Sequence, residues 1–583
     1  MPSRALIGIF LILSLFISQA ALAKMGVNGS KHDLSPTGSG TLKISDPLGR
    51  VCVFCHVPHG ATVSPLSDTP LWSRTLPSQT YTTYASTTMK LGYSLFQPSG
   101  SSRLCLSCHD GTIALGSYAG KIGVDSGMTG SKNIGGAGGT HLEDDHPISF
   151  AYADSQNNNS ELVATPVGVT LPNGQLQCTS CHDPHNNEFG NFLVMSNTPG
   201  APLCIVCHKV TGWADNLGNS TSTHNLTANL PNACMNCHST HNAAKPERLL
   251  NQALEENVCF LSCHNIGSNS NVKDNFSASY THPLTFSSTA HDEAETLPAQ
   301  SAHVECVDCH NPHQVNAVGA PLANAPAVNG RLLGVRGVDT NQATKTAVYE
   351  YEICFKCHGG PNASSFIGLT AEPLKPVRVN ASDNLITRFT GVSYHPVAAV
   401  TTSGGGSLVS PGMSRIYCSD CHNNDAGKAA GGAGPNGPHG SSVPHILIAP
   451  YRMTEPRTNG DYTDTYYSLC YRCHQKSYIM SSSSGFYNSA TSSVEHTLHV
   501  QTRGIRCFTC HDPHGVPGSG VDQTKVHLVN ILTTDPTGSP GNSYLVSGFP
   551  APYTSLGVGS GSCTVSCHTL GTGTGGHTHS YTK

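Results

Sequence analysis

The sequence predicts an elongated chain of irregular loops and short α-helices with little β-sheet, wrapped around something other than a conventional apolar core. Three observations predict it. Charged residues make up only 11% of the 583 residues, about half the usual share. Glycine (60) and proline (37) interrupt the chain throughout, and few long segments carry helical or strand periodicity. Cysteine (24) and histidine (32) are abundant and recur in a fixed local pattern.

The N-terminus reads as an export signal. Arg4 supplies a basic start, Ala5–Ile17 an apolar run, and Ala21-Leu22-Ala23 a small-residue cleavage site. The run is too short for a membrane span, which needs roughly 18 or more apolar residues. Residues 1–23 are therefore expected to be a signal peptide. The rest is expected to be extracellular or at the cell surface, with the periplasm as the alternative and no membrane span.

The cysteines fall into twelve sites. Ten read Cys-x-x-Cys-His: Cys52/Cys55/His56, Cys105/Cys108/His109, Cys178/Cys181/His182, Cys204/Cys207/His208, Cys234/Cys237/His238, Cys306/Cys309/His310, Cys354/Cys357/His358, Cys418/Cys421/His422, Cys470/Cys473/His474 and Cys507/Cys510/His511. Two carry one more residue: Cys259/Cys263/His264 and Cys563/Cys567/His568. No cysteine is left over. The spacing is that of covalent haem attachment, with two thiols adding to the two vinyl groups and the next histidine as proximal iron ligand. A zinc ribbon needs two Cys-x-x-Cys units per metal and no trailing histidine. A disulfide scaffold leaves that histidine unexplained. The expected cofactor content is twelve haem c groups, with local disulfides as the alternative at the two longer sites.

Each iron has a sixth position, and the remaining histidines are placed to fill it. A second histidine follows three residues after the proximal one at His59, His185, His241, His313 and His514. It is absent after His109, His208, His264, His358, His474 and His568, so the sites alternate and fall into consecutive pairs. After His422 the expected position is Asp425, and His439 or His445 substitutes. Each pair also has an upstream histidine: His32, His146, His224, His282, His395 and His499. Three of these precede proline, which favours an extended backbone suited to presenting a ligand from a loop. The candidate distal ligands are thus His32, His59, His146, His185, His224, His241, His282, His313, His395, His439, His499 and His514. Their rivals are His303, His445 and His496, and the spares are His141, His291, His527, His577 and His579. The acidic stretch Glu143–Asp145 reads as a solvated turn.

The pairs give segments 24–139, 140–213, 214–274, 275–381, 382–480 and 481–583. At roughly 47 residues per haem, no separate protein core fits around each cofactor. Metal and thioether bonds must replace part of the missing burial.

The stretches "LCLSCHDG" at Leu104, "DHPISFAY" at Asp145, "CTSCHDPHNNEFGNFL" at Cys178, "GPNGPHGS" at Gly434 and "VHLVNI" at Val526 resemble multihaem c-type cytochromes with paired Cys-x-x-Cys-His motifs, over nearly the whole mature chain. The resemblance implies electron transfer to redox-partner cytochromes and extracellular acceptors. Some relatives polymerise, with a histidine donated between subunits. Head-to-tail self-association is therefore an expectation here, with His32 or His577 and His579 as bridging candidates. No nucleic-acid partner is expected. Two alternatives are kept: a periplasmic electron shuttle or store, and a multihaem reductase of nitrite, hydroxylamine or a sulfur oxyanion. The reductase needs an exchangeable sixth position, which spare histidines argue against, so the chain is expected not to be an enzyme.

Overall fold

A computed structural model describes residues 26–62, 70–86, 89, 97–213, 222–226, 230–261, 263–265, 271–284, 304–316, 324–360, 382–400, 407–410, 413–453, 462–484, 486–488, 492–518 and 527–531, together with the backbone of strands Tyr553–Gly557, Ser560–Val565 and His577–Thr582. The signal-peptide segment, His291, His303, Cys567 and His568 lie outside these residues. Among the described residues no helix is long and apolar enough to cross a membrane.

The architecture is loops and short helices, and the helices sit on the motifs. Helical turns cover Cys52–Phe54, Gly100–His109, Cys178–Cys181, Pro202–Ile205, Ala233–Asn236, Glu255–Phe260, Cys306–Cys309, Glu350–His358, Cys418–Asp420, Ser468–Tyr471 and Cys507–Cys510. The cause is local. One turn puts residues three apart on the same side, so both thiols of a Cys-x-x-Cys face one way. The turn is closed by the histidine N–H donating to the carbonyl of the first cysteine, at 2.8–3.0 Å in eight of the ten shorter sites. The longer site keeps the same closure. His264 N–H donates to Cys259 O at 3.0 Å, so the extra residue widens the turn without separating its ends.

The chain divides into two compact units, Met1–Val258 and Cys259–Lys583. In the first, Thr82–Thr83 pairs in parallel with His141–Leu142, and Phe150–Ala151 pairs antiparallel with Gln175–Leu176. Its apolar clusters are small: Val53, Phe54, Val57 and Tyr118, then Tyr81, Leu106 and Leu142. In the second, the hairpin Arg336–Val338/Thr344–Thr346 packs on helix Glu350–His358. The Glu352 carboxylate accepts the N–H groups of Val348 and Tyr349 and closes the helix start. The cluster on that helix is Tyr351, Phe355, Ile386, Phe389 and Val397.

One region departs from the expectation of helical motifs. Ser560–Val565 is a strand in a five-stranded sheet, and Cys563 stands opposite His579 in register. The sequence Ser-Gly-Ser-Cys-Thr-Val explains it, since glycine disfavours helix while Thr and Val favour the extended chain.

Candidate functional site

The structure brings motif histidines face to face with second histidines. In the first unit His56 faces His185 with ring centres 6.1 Å apart, His109 faces His32 at 6.3 Å, His182 faces His241 at 6.2 Å and His208 faces His146 at 6.1 Å. In the second, His310 faces His439 at 6.0 Å, His358 faces His282 at 6.4 Å, His422 faces His514 at 5.9 Å, His474 faces His395 at 6.2 Å and His511 faces His496 at 6.4 Å. Metal–nitrogen bonds of roughly 2 Å on either side of one ion leave ring centres about 6 Å apart. Nine pairs repeat that separation.

The register is regular. The histidine three residues after a motif faces the motif histidine of the preceding pair's first site: His185 reaches back to His56, His241 to His182 and His514 to His422. The upstream-loop histidine faces the second site of its own pair, as His32 does His109 and His282 does His358. His439 fills the place that Asp425 leaves. Asp425 instead accepts the Ser442 N–H, at 3.0 Å.

The rings are oriented through Nδ1. His56, His109, His182, His238, His310, His422 and His511 each place Nδ1 within 2.6–3.0 Å of a backbone carbonyl, on Pro70, Lys132, Asn191, Arg248, Arg331, His445 and His527. His32, His282 and His395 place theirs against the carbonyls of Pro184, Pro438 and Pro513. An Nδ1–H that donates to a carbonyl leaves Nε2 bare, the tautomer a metal needs. Burial favours the neutral form of several facing and motif histidines. Desolvation first and the facing ring second lower His32, His146, His358 and His474 to about 4, and His439 and His496 to about 3.

The residues that supply these accepting carbonyls were missed by sequence reasoning. Asn191, Arg248, His445 and His527 each sit at positive φ and are followed by another residue at positive φ, a strained conformation that persists where the surroundings enforce it. It turns the carbonyl onto the histidine, and the next residues bridge back to the motif: His182 to Leu193, His238 to Leu250, His422 to Leu447 and His511 to Val529. His445, read as a rival ligand, and His527, read as a spare, contribute backbone here. The sequence trace is a large apolar residue (Phe192, Leu249, Ile446 or Leu528) followed by another apolar residue, as in "HILI" and "HLVN".

Other expectations fare differently. His496, read as a rival, faces His511, while His499 places Nδ1 on Glu495 O at 2.8 Å and lies against Phe486. His32 is engaged by His109 of its own chain, which removes it as a bridge to another copy. His224, His313, His238 and His264 lie outside these nine pairs without being free of contacts. His59 is exposed. His577 and His579 are described only as strand backbone. Asp145 is not solvated: it is 4% exposed, and its carboxylate holds His241 Nδ1 at 2.9 Å and the Asn242 N–H at 3.2 Å.

Successive motifs also touch through their thiols. Cys105 hydrogen-bonds Cys178, Cys204 bonds Cys234, Cys354 bonds Cys418 and Cys470 bonds Cys507. Within pairs the second cysteines interact: Cys55 with Cys108, Cys181 with Cys207, Cys309 with Cys357 and Cys421 with Cys473. Cys237, expected as the second attachment thiol beside His238, lies outside these four contacts without being free of contacts. Its backbone still builds the motif turn: the Cys237 N–H donates to Cys234 O at 3.1 Å, and the Cys237 carbonyl accepts the Asn251 N–H at 2.9 Å. None of the 22 described cysteines, Cys237, Cys259 and Cys263 included, is in a disulfide.

The chemistry fits haem. An apolar cleft lined by Thr83, Ile134, Leu142, Pro147, Cys178 and His241 adjoins the His182–His241 gap. Among the described residues, buried cationic atoms stand without hydrogen-bond partners: Lys245 Nζ, Arg74 Nε and Arg415 Nε. Ionised haem propionates would supply the missing anions. A free metal ion is a poorer fit, since among the described residues no group of three or more His, Cys, Asp or Glu is arranged to hold one.

Comparison with known proteins agrees with this chemistry. Residues 172–212, which carry Cys178/Cys181/His182 and Cys204/Cys207/His208, match the family described as "Doubled CXXCH motif". The chain is also 29% identical over 171 residues to multihaem cytochrome MtrA of Shewanella baltica (strain OS185), covering 27% of this chain and 41% of that relative. The repeated motif, the facing imidazoles and these two matches together support a multihaem c-type cytochrome.

Proposed function

We propose that the chain is an exported dodecahaem cytochrome that conducts electrons from haem to haem in the order of its motifs. Haem, when bound, supplies the one-electron iron couple. The chain does the rest. The 24 motif cysteines attach the cofactors, the motif histidines bind from one face, and the facing histidines close the other. The carbonyls on Nδ1 hold each ring in its tautomer and orientation.

The observation that carries this reading is thiol adjacency from one motif to the next, through Cys55, Cys108, Cys105, Cys178, Cys181, Cys207, Cys204 and Cys234 in the first unit. Attachment thiols that lie within electrostatic range of one another would put successive cofactors within electron-hopping range. The second unit repeats it from Cys309 to Cys507. The facing histidines favour conduction over the reductase reading, because an enzyme needs an open iron.

The motif pairs form the structural repeats. Extracellular delivery and head-to-tail assembly complete the proposal, with exposed His59 and the terminal His577 and His579 as candidate bridging ligands. A heterologous contact of that kind propagates rather than closes.

The test is film voltammetry of the holoprotein against a Cys178→Ser/Cys181→Ser variant, which interrupts the series at its third site. Conduction in motif order predicts slower electron passage across the variant. Unchanged passage would overturn the proposed order.

A further inference from the structure

The nine facing pairs fall into two geometric classes that alternate along the chain. At the first site of each pair the imidazole planes are near parallel, 13–34° apart, at His56, His182, His310, His422 and His511. At the second site they are crossed, 48–76° apart, at His109, His208, His358 and His474. No pair falls between the classes.

The chain sets the difference. At most first sites the facing histidine follows a motif and the proximal Nδ1 is fixed by a carbonyl from a turn. At second sites the facing histidine comes from the upstream loop. Its ring is pinned in three cases to the carbonyl just before a first-site facing histidine: Pro184 before His185, Pro438 before His439 and Pro513 before His514.

We infer that the two sites of each motif pair hold electronically distinct irons, the first with parallel and the second with crossed axial imidazoles, so that conduction runs over alternating redox levels. This rests on the ligand assignment above. Parallel imidazoles load their π electrons onto the same iron d orbital, split it from its partner and stabilise the ferric state. Crossed imidazoles load both orbitals equally and leave them nearly degenerate. First sites are therefore the more reducing, and each transfer oxidises one ferrous iron as it reduces a ferric neighbour of the other class.

The experiment is electron paramagnetic resonance of the oxidised holoprotein. The inference expects two low-spin populations of similar size: a rhombic one, and one of strong anisotropy with a large maximum g value. During reductive titration the strongly anisotropic one should disappear first. A His395→Ala variant should lose one haem from the anisotropic population, and His514→Ala one from the rhombic population. A single low-spin class in the unmodified protein would overturn the inference while leaving the ligand assignment standing. A predominantly high-spin spectrum would overturn the assignment itself. Neither outcome depends on the variants maturing.

Discussion

His395 Nδ1 lies 2.7 Å from the carbonyl oxygen of Pro513, 118 residues further along the chain, and the next residue, His514, faces His422. One turn thus positions ligand candidates for two sites. His32 meets Pro184 and His282 meets Pro438 in the same way. This gives a physical reason for proline before the second histidine in "HDPH" and "GPH": its fixed φ holds the carbonyl where a distant imidazole needs it.

The register makes a counterintuitive prediction about His185. Although it follows Cys178/Cys181/His182, its ring faces His56. A His185→Ala variant should convert one haem to high spin and bind about one equivalent of carbon monoxide when reduced. The haem affected should be the one on Cys52/Cys55. A Cys52→Ser/Cys55→Ser background should therefore abolish the new signal, and persistence there would refute the register.

Asp145 should set one potential apart. Thr240 stands where prolines 184, 438 and 513 stand elsewhere. His146 N–H takes the Thr240 carbonyl, and the Asp145 carboxylate takes His241 Nδ1. Burial works to lower His241, but the hydrogen bond and charge of Asp145 outweigh it and leave its pKa raised. A carboxylate on Nδ1 makes the imidazole a stronger donor and favours ferric iron. Asp145→Asn should shift one haem to higher potential in a spectroelectrochemical titration while all irons stay low-spin, and Asp145→Glu should restore it. No shift would mean that Asp145 only splints the loop.

How much of this was legible follows from distance along the chain. The motif turns were legible because the spacing Cys-x-x-Cys-His fits within one helical turn. One doubled motif, Cys178/Cys181/His182 with Cys204/Cys207/His208, was legible from its spacing. Which histidine meets which was not, since His282 and His358 are brought together by tertiary structure alone. His496 and His499 differ by three positions, and nothing local distinguishes them. The orienting carbonyls lie 9 residues beyond the motif histidine at Asn191 but 23 beyond at His445, so no fixed spacing betrays them. The strand at Cys563 was missed because the motif was assumed to impose its own helix.

Arg74 should be worth several hydrogen bonds to the first unit. It is 1% exposed, and its guanidinium donates to the carbonyls of Leu115 and Ala114 at 2.8 and 2.9 Å. Replacement by methionine fills much of the space but strands those carbonyls. Arg74→Met is expected to cost about 2–4 kcal/mol. The check is a denaturant titration followed through the Soret band, in which a midpoint within error of the unmodified protein would contradict the expectation.

Intact mass should report twelve covalent haems after loss of residues 1–23. The closure of Cys259–His264 by the same hydrogen bond as the shorter motifs supports counting the longer sites. Cys259→Ser/Cys263→Ser should reduce the mass by one haem. Eleven or fewer haems in the unmodified protein, with a disulfide at either longer site, would return that site to a structural role.

The chain should fail to fold without its cofactors. Among the described residues its apolar clusters hold three to five buried residues each, and buried cationic atoms such as Lys245 Nζ have no hydrogen-bond partner there. Burying such a group unpaired costs several kcal/mol, and backbone ordering costs about 1–2 kcal/mol per residue. The small clusters cannot offset both, so attachment and iron–imidazole bonds must supply folding free energy, as structural metals do elsewhere. Expression in a host lacking the haem-attachment machinery should give a protease-sensitive chain whose circular dichroism lacks the helical signal of the holoprotein. A compact, protease-resistant apoprotein would show that the polypeptide alone specifies the fold, and would remove the argument that haem serves as its core.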